Sequence, residues 1–388
     1  MTFHEILNNL RGSSLSSSQI VTAIIETAAN LNKGEGEDWS DTASVAYGHE
    51  QPSSAALIQV AAKALLDAPL DLRLSDVSAM LDANASRDFG EFWIRQDAAQ
   101  ELLGLLGNAQ SARFSYPASL RPALLFAIDR KTYAQPTIIE YAGWEQDSRI
   151  LGQLAAIFDL DIKFSKSNPW TRSDQPYFDV ELMMPPFGFD MSRAGDVPEA
   201  TLSHLGVFGG RHGRISSETV AIADALQNAR GRTVLAVTEG ALFRAVGVEA
   251  IAREELVHSG RLHAVMGIGP SMMFQNTSIN TALLLLSPKG TSHAAIRFVN
   301  LTDEQFASRR ERGRLEIRKG VAWSELPAVE LTGNEAFACD IDVLSIKEEG
   351  YTLTIDRYLD RHARDAIAQL LAKSEVAELS ELVEMIRP

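Results

Sequence analysis

From about residue 88 onward, short apolar runs alternate with amphipathic segments, and this alternation most restricts the fold. Candidate strands lie at Ala112–Tyr116, Thr137–Tyr141, Asp161–Phe164, Tyr177–Met183 and Thr233–Thr238, then at Leu262–Ile268 and Ile279–Ser287. Candidate helices at Asp97–Leu106, Leu120–Asp129, Ser148–Phe158, Ser217–Asn228 and Val248–Ser259 fall between or before them. A strand that returns through a helix lies parallel to its predecessor, so the pattern predicts a mainly parallel sheet with helices on both faces. The last two strands have no helix between them, which predicts one antiparallel edge.

The flanks read differently. Residues 1–87 predict a helical domain: Ile20, Ile24, Ile25, Ala28 and Leu31 recur at helical spacing behind a serine-rich start that can supply an N-cap. Ala55–Leu66 and Leu74–Leu81 predict two further helices. Residues 88–300 carry the alternating pattern, and residues 301–388 form a more charged α+β extension. That extension holds an apolar segment around Val343–Leu359 and a predicted helix at Ala363–Leu371. Its basic cluster (Arg309, Arg310, Arg312, Arg314, Arg318, Lys319) is interleaved with Glu311 and Glu316, so it reads as a solvated helix face rather than a nucleic-acid track.

A net charge of −15 argues against a surface coated with basic residues for non-specific DNA binding, though not against a local basic groove. The one cysteine, Cys339, excludes an internal disulfide and a cysteine-based zinc site, and the eight histidines show no metal-ligand spacing. The first residues lack the basic and apolar blocks of a signal peptide, and no apolar run reaches membrane-spanning length. A soluble cytoplasmic chain with no membrane partner is expected.

One stretch carries specific chemistry: Phe178-Asp179-Val180-Glu181-Leu182-Met183-Met184-Pro185-Pro186-Phe187-Gly188. It resembles the catalytic motif of N6-adenine DNA methyltransferases, in which asparagine stands where this chain has Met184. Further matches follow in order. Phe89-Gly90-Glu91-Phe92-Trp93-Ile94-Arg95 is similar to the family's Gly-Glu-Phe-Phe-Thr-Pro-Arg lead-in. Gly231–Val237, Leu242-Phe243-Arg244 and Phe274-Gln275-Asn276-Thr277-Ser278-Ile279 resemble its Gly-Gly-Arg strand, Leu-Phe-Arg turn and Phe-x-Asn-Thr-x-Ile hairpin. Ile346–Leu353 with Arg357-Tyr358-Leu359 resembles its closing segment. Together these matches identify residues 88–360 as similar to the modification subunits of type I restriction-modification systems. The resemblance implies a Rossmann-like methyltransferase sheet and S-adenosylmethionine as cofactor. It implies DNA, a specificity-type subunit or domain, and an intact methyltransferase or second copy as partners. The segment 376–387 resembles the opening of a type I specificity domain, or is a simple amphipathic terminal helix.

Where relatives approach the cofactor through Asp-Pro-Ala-Cys-Gly-Ser-Gly-Gly, this chain reads Tyr116-Pro117-Ala118-Ser119-Leu120-Arg121-Pro122-Ala123. Pro117 and Ala118 remain as candidate cofactor contacts. Leu120 and Pro122 replace glycines that let the backbone come close to a ligand, and proline also removes an amide donor. Glu145, in Gly143-Trp144-Glu145-Gln146-Asp147, is the candidate acid for ribose hydroxyls, or else it starts the next helix beside Asp147, where negative charge suits the dipole. Ser165-Lys166-Ser167-Asn168 lacks the acid expected to contact adenine.

The resemblance assigns catalysis to Met184, Pro185, Pro186 and Phe187. The family's asparagine and a proline carbonyl accept hydrogen bonds from the target amino group, and the aromatic ring stacks on the flipped base. Methionine has no oxygen and only a weakly accepting sulfur. Losing one such contact costs about two to three orders of magnitude in rate. The sequence therefore predicts a pseudo-methyltransferase that positions DNA or partner subunits in a restriction-modification or phage-defence assembly. An active N6-adenine methyltransferase with a divergent cofactor site is one alternative, and an interaction scaffold without DNA binding is another. Gly206–Arg214 is either a mobile surface loop or a phosphate contact.

Overall fold

The computed structural model describes residues 10, 15–34, 52–88, 93–165, 169–170, 177–191, 197–206, 214–244, 247–274, 277–310, 314–318, 322–332 and 335–360. The N-terminal part is helical: α1 (Ser17–Lys33), α2 (Pro52–Asp67) and α3 (Leu70–Asp88). Ser16 caps α1 through a capping box with Gln19, and Gly34 ends it at φ 72°, a left-handed conformation that glycine adopts without strain. These helices are pinned to the end of α6 (Glu145–Phe158), where Asn32 Nδ2 donates to the Ala156 carbonyl at 2.7 Å and Arg73 Nη1 to that of Ile157 at 3.0 Å.

After α4 (Gln96–Leu106) the chain enters a nine-stranded sheet. Its left half is β1 (Ser111–Ser115), α5 (Leu120–Thr132), β2 (Ile138–Ala142), α6 and the short edge strand β3 (Lys163–Phe164). Then come β4 (Val180–Met183), α7 (Glu199–His204), α8 (Ser217–Gln227), β5 (Arg232–Thr238), α9 (Val248–His258), β6 (Leu262–Ile268), β7 (Thr281–Leu286) and β8 (Ala295–Asn300). β9 (Ala307–Arg309), β10 (Leu315–Ile317), β11 (Ala338–Asp342) and α10 (Val343–Glu348) complete the series.

The sheet order is β11-β8-β6-β7-β5-β4-β1-β2-β3. β3, β2, β1, β4 and β5 are parallel, as the intervening helices require. β7 runs antiparallel to both β5 and β6, which follows from the missing helix between β6 and β7. It lies inside the sheet rather than at an edge, because β8 and β11 extend the sheet beyond β6. An interior position explains its unbroken Ala282–Leu286 run, since both faces meet apolar neighbours.

Two apolar cores flank the sheet, and the two-residue period of β5 divides its side chains between them. Val234 and Ala236 join the core under α1–α6, while Leu235 and Val237 join the core under α8 and α9. The second core also takes in Cys339 and Tyr358, so residues beyond 300 pack against the same sheet. On one face Arg113 of β1 stands between Glu140 of β2 and Glu181 of β4, paired in register, with its Nε 3.1 Å from Glu140. Gly231 is fixed by sterics: a Cβ there would lie 2.2 Å from the Phe178 carbonyl oxygen.

The basic cluster departs from the helix face predicted for it. Residues 307–309 and 315–317 form the antiparallel β9–β10 pair, with Arg309 opposite Leu315. Leu315 and Ile317 pack on the core as alternate residues of a strand, which decides the local structure over the charge pattern. Residues 311–313 and 319 of the cluster lie outside the described residues, as do the predicted helix 363–371 and the segment 376–387. No helix among the described residues is long and apolar enough to cross a membrane.

Candidate functional site

The order β3-β2-β1-β4-β5 reverses direction between β1 and β4, and such a switch opens a crevice at the carboxyl ends of the strands. The sequence-predicted site residues all sit in the segments that follow the strands at this end. Their surroundings differ sharply from strand to strand.

After β1 the chain turns through Tyr116, a non-glycine residue at φ 76°. Its amide donates to the Ala142 carbonyl at 2.8 Å, and its carbonyl accepts from the Ser119 amide and hydroxyl. The ring is fully buried, 4.7 Å from that of Trp170. Pro117, Ala118 and Ser119 form one short helical turn that leads into α5. Leu120, Arg121 and Pro122 are buried. Arg121 donates to the Ile94 carbonyl at 2.7 Å, pairs with Asp82 at 2.6 Å and lies over the Trp93 ring at 4.6 Å. Trp93 Nε1 donates to the same Asp82 oxygen at 2.8 Å. This loop thus binds α3 and the lead-in segment through side chains.

After β2, Gly143 lies on the Tyr141 ring so closely that a Cβ would stand 2.4 Å from it. Glu145 is exposed at the first position of α6. Asp147 sits two residues further on, and burial pushes its carboxyl up to about 6 against the opposing hydrogen bonds from the backbone of the helix start. After β3, the Ser165 amide donates to the Tyr141 carbonyl at 2.9 Å, and residues 166–168 lie outside the described residues.

After β4, the Met184 amide extends the ladder to the Ser115 carbonyl at 3.2 Å. The Met184 side chain belongs to the core below the loop, and Pro185 is buried. Gly188 turns the chain at φ 63°. Its amide donates to Glu218 at 3.0 Å, and its carbonyl accepts from Arg214 at 2.6 Å. Ser217 donates its hydroxyl to the Pro186 carbonyl and its amide to that of Phe189. Glu218 is fully buried and also accepts from Thr238 at the end of β5, at 2.9 Å. One carboxylate therefore ties the β4 loop, the start of α8 and the end of β5 together. The Phe187 ring stands edge-on to Phe274, with centroids 5.5 Å apart at 81°. A base sandwiched between parallel rings needs about 7 Å, two van der Waals gaps, so these rings contact each other directly.

Residues 176–366 match the family model described as N-6 DNA Methylase. That segment, from the approach to β4 to beyond α10, carries this family's sequence pattern. No curated protein matches it in sequence. Among solved structures it is similar to a type I restriction-modification methyltransferase subunit from Streptococcus thermophilus, at 16% identity and a TM-score of 0.64, covering 87% of this chain and 79% of that one. It is also similar to a chain from a study of complex assembly in the type I R-M system, at 13% identity and a TM-score of 0.62, covering 100% and 98%. A third is a putative class I S-adenosylmethionine-dependent methyltransferase from Listeria monocytogenes, at 12% identity and a TM-score of 0.55, covering 78% and 92%. The sheet is thus the Rossmann-like methyltransferase sheet.

Within that frame Pro117 and Ala118 lie in the helical turn after β1, Glu145 at the start of α6 after β2, and Met184, Pro185, Pro186 and Phe187 on the β4 loop. The residues that hold these loops were not singled out in the sequence. Glu218 follows the N-cap Ser216, so its acid reads as an ordinary first-turn charge, and only the fold turns it inward. Asp82 and Arg121 are 39 positions apart, and no local period links them. Asp179, read as part of the motif, pins the start of β1 by accepting from the Gln110 and Ser111 amides at 3.0 Å each. Cys339 is buried in β11, and burial pushes its thiol up to about 12, which leaves it chemically quiet.

Proposed function

We propose that this chain is a pseudo-methyltransferase of the N-6 DNA methylase family: a DNA-positioning or structural subunit of a restriction-modification or phage-defence assembly that transfers no methyl group. The observation that carries this reading is the direct bond from Arg121 to the Ile94 carbonyl, backed by Asp82. It joins the β1 loop to the lead-in segment with no gap between them. S-adenosylmethionine does not fit the residues present there. Tyr116 lies in the core, Leu120 and Pro122 are buried where glycines would open the backbone, and Pro122 has no amide to give. At the β4 loop Met184 turns into the core and offers no acceptor to an amino group.

The same loop supports a positioning role. Glu218, Ser217 and Arg214 hold Pro186–Gly188 in a defined shape, and Arg214 brings a positive charge to its rim. The partners expected in this reading are DNA, a specificity-type subunit or domain, and an intact methyltransferase or a second copy of the chain. One observation favours the active reading: Glu145 is exposed at the end of β2, free of the repacking seen after β1. Calorimetry with S-adenosylmethionine on the purified chain separates the two. No heat at millimolar cofactor is expected, and micromolar affinity overturns the proposal. An electrophoretic shift with duplex DNA at moderate salt tests the positioning role, because an acidic chain that binds DNA needs a specific groove. Absence of any shift favours a scaffold that acts through protein partners alone.

A further inference from the structure

The carboxyl ends of β5, β6 and β8 and the amino end of β7 surround a cavity of about 370 Å³. None of Tyr116, Glu145, residues 184–188 or Phe274 lines it, so it is separate from the crevice between β1 and β4. Its size falls in the range of small-ligand sites, roughly 300–1,000 Å³. Ile268, Leu315 and Ile355 supply apolar walls. Gly267 and Gly269 let those walls close up, since a Cβ on either would lie 2.6 Å from Ile355 Cδ1 or 2.5 Å from Leu315 Cδ1.

The polar groups are sorted by kind. Glu239, after β5, and Asp356 put two carboxyl groups on the cavity, and Asn280 Nδ2 holds Glu239 in place at 3.0 Å. Burial, and then the negative charges of Glu239 and Asp360, raise the Asp356 carboxyl above the usual carboxylate range, so the pair is electrostatically unsatisfied. Arg309 adds a guanidinium. Asn300 accepts from the Thr302 amide at 2.9 Å and hydroxyl at 2.7 Å through its side-chain oxygen, which leaves its NH₂ group to donate.

We propose that this cavity binds a nucleotide. Its base lies between the apolar walls, its exocyclic amino group donates to Glu239 and Asp356, and its phosphate meets Arg309. Carboxylates accept from base amino groups, and a guanidinium matches phosphate geometry, so one ligand satisfies both kinds of group at once. A polyamine would satisfy the acids but would face Arg309. The nucleotide could come free from solution or unstacked from DNA, with the same contacts. The site stands whether or not the crevice between β1 and β4 binds cofactor.

The test is calorimetry on the whole chain with dCMP, dAMP, dGMP and dTMP. The three amino-bearing nucleotides should bind at least tenfold tighter than dTMP, which has no exocyclic amine. Asp356→Ala should reduce that preference about tenfold, and Arg309→Ala should weaken nucleotides about tenfold while leaving the nucleosides unchanged. Both residues are exposed, and an unchanged melting temperature confirms that the variants fold. Competition by a single-stranded oligonucleotide assigns the ligand to DNA, and its absence assigns it to free nucleotide. Equal binding of dTMP, binding of spermidine alone, or no binding of any nucleotide at millimolar concentration overturns the proposal.

Discussion

The loops after β1 and β4 border the same crevice, yet they are held in different ways. After β1, bulky residues stand where a ligand-approaching backbone needs glycine, and the fold absorbs them by tying Arg121 to Asp82, Ile94 and Trp93. After β4 a single residue differs, and its side chain drops into the core while Glu218 and Ser217 hold the rest of the loop. The first loop spends its side chains on internal packing. The second is held through its backbone by Glu218 and Ser217, with the Met184 side chain turned into the core. The contrast shows that one crevice can be bordered by a loop fixed through its side chains and by another fixed through its backbone.

Breaking the β1 lock should have the largest effect. Arg121→Ala leaves Asp82 without its cation and the Ile94 carbonyl without its donor, and should cost about 2–3 kcal/mol in denaturant unfolding. A cost below about 0.5 kcal/mol would mean that the lock is ornamental. Glu218→Ala removes the acceptor shared by Gly188 and Thr238 and should cost about 2 kcal/mol. Amide exchange at Gly188 should accelerate in that variant while exchange at Leu182 in β4 stays slow. Equal acceleration at both would indicate global unfolding instead.

Met184→Asn sharpens the comparison from the other side. It places an amide in the core under the β4 loop and should cost about 1–3 kcal/mol without restoring methylation of duplex DNA. Methyl transfer by this variant would show that the β1 loop still admits cofactor. A pH-dependent effect concerns Asp147. Its carboxyl titrates at about 6 in the fold, against an ordinary 3.8, so the native state holds its proton to higher pH. Its contribution to stability is complete below about 3.8 and is lost as pH rises to about 6. Asp147→Asn should flatten the pH dependence of melting across that window, and an unchanged profile would assign the slope to another group.

Much of the sheet was legible in the chain. The alternation of apolar runs with amphipathic stretches predicted the parallel order of β1 to β5, and the missing helix before β7 predicted its reversed direction. Arg309–Ile317 misled, because charge interleaving is shared by helix faces and hairpins and only the packing of Leu315 and Ile317 separates them. β8 and β11 pair across 43 residues between Arg297 and Asp340, beyond the reach of any local pattern. The motif residues were legible as types. Their fates were not, because Met184 could have faced the crevice or the core with the same neighbours in sequence.

Local periodicity was enough to predict most of the elements and their direction up to β7, and the family was pointed to by the ordered motif matches alone. Tertiary structure alone decided that Arg121 reaches back to Asp82, that Glu218 turns inward to Gly188, and that Glu239 and Asp356 meet over one cavity. Secondary structure is written in neighbours three, four or two positions apart. A site is made by residues from distant elements, and burial and charge fix their roles only once the sheet brings them together.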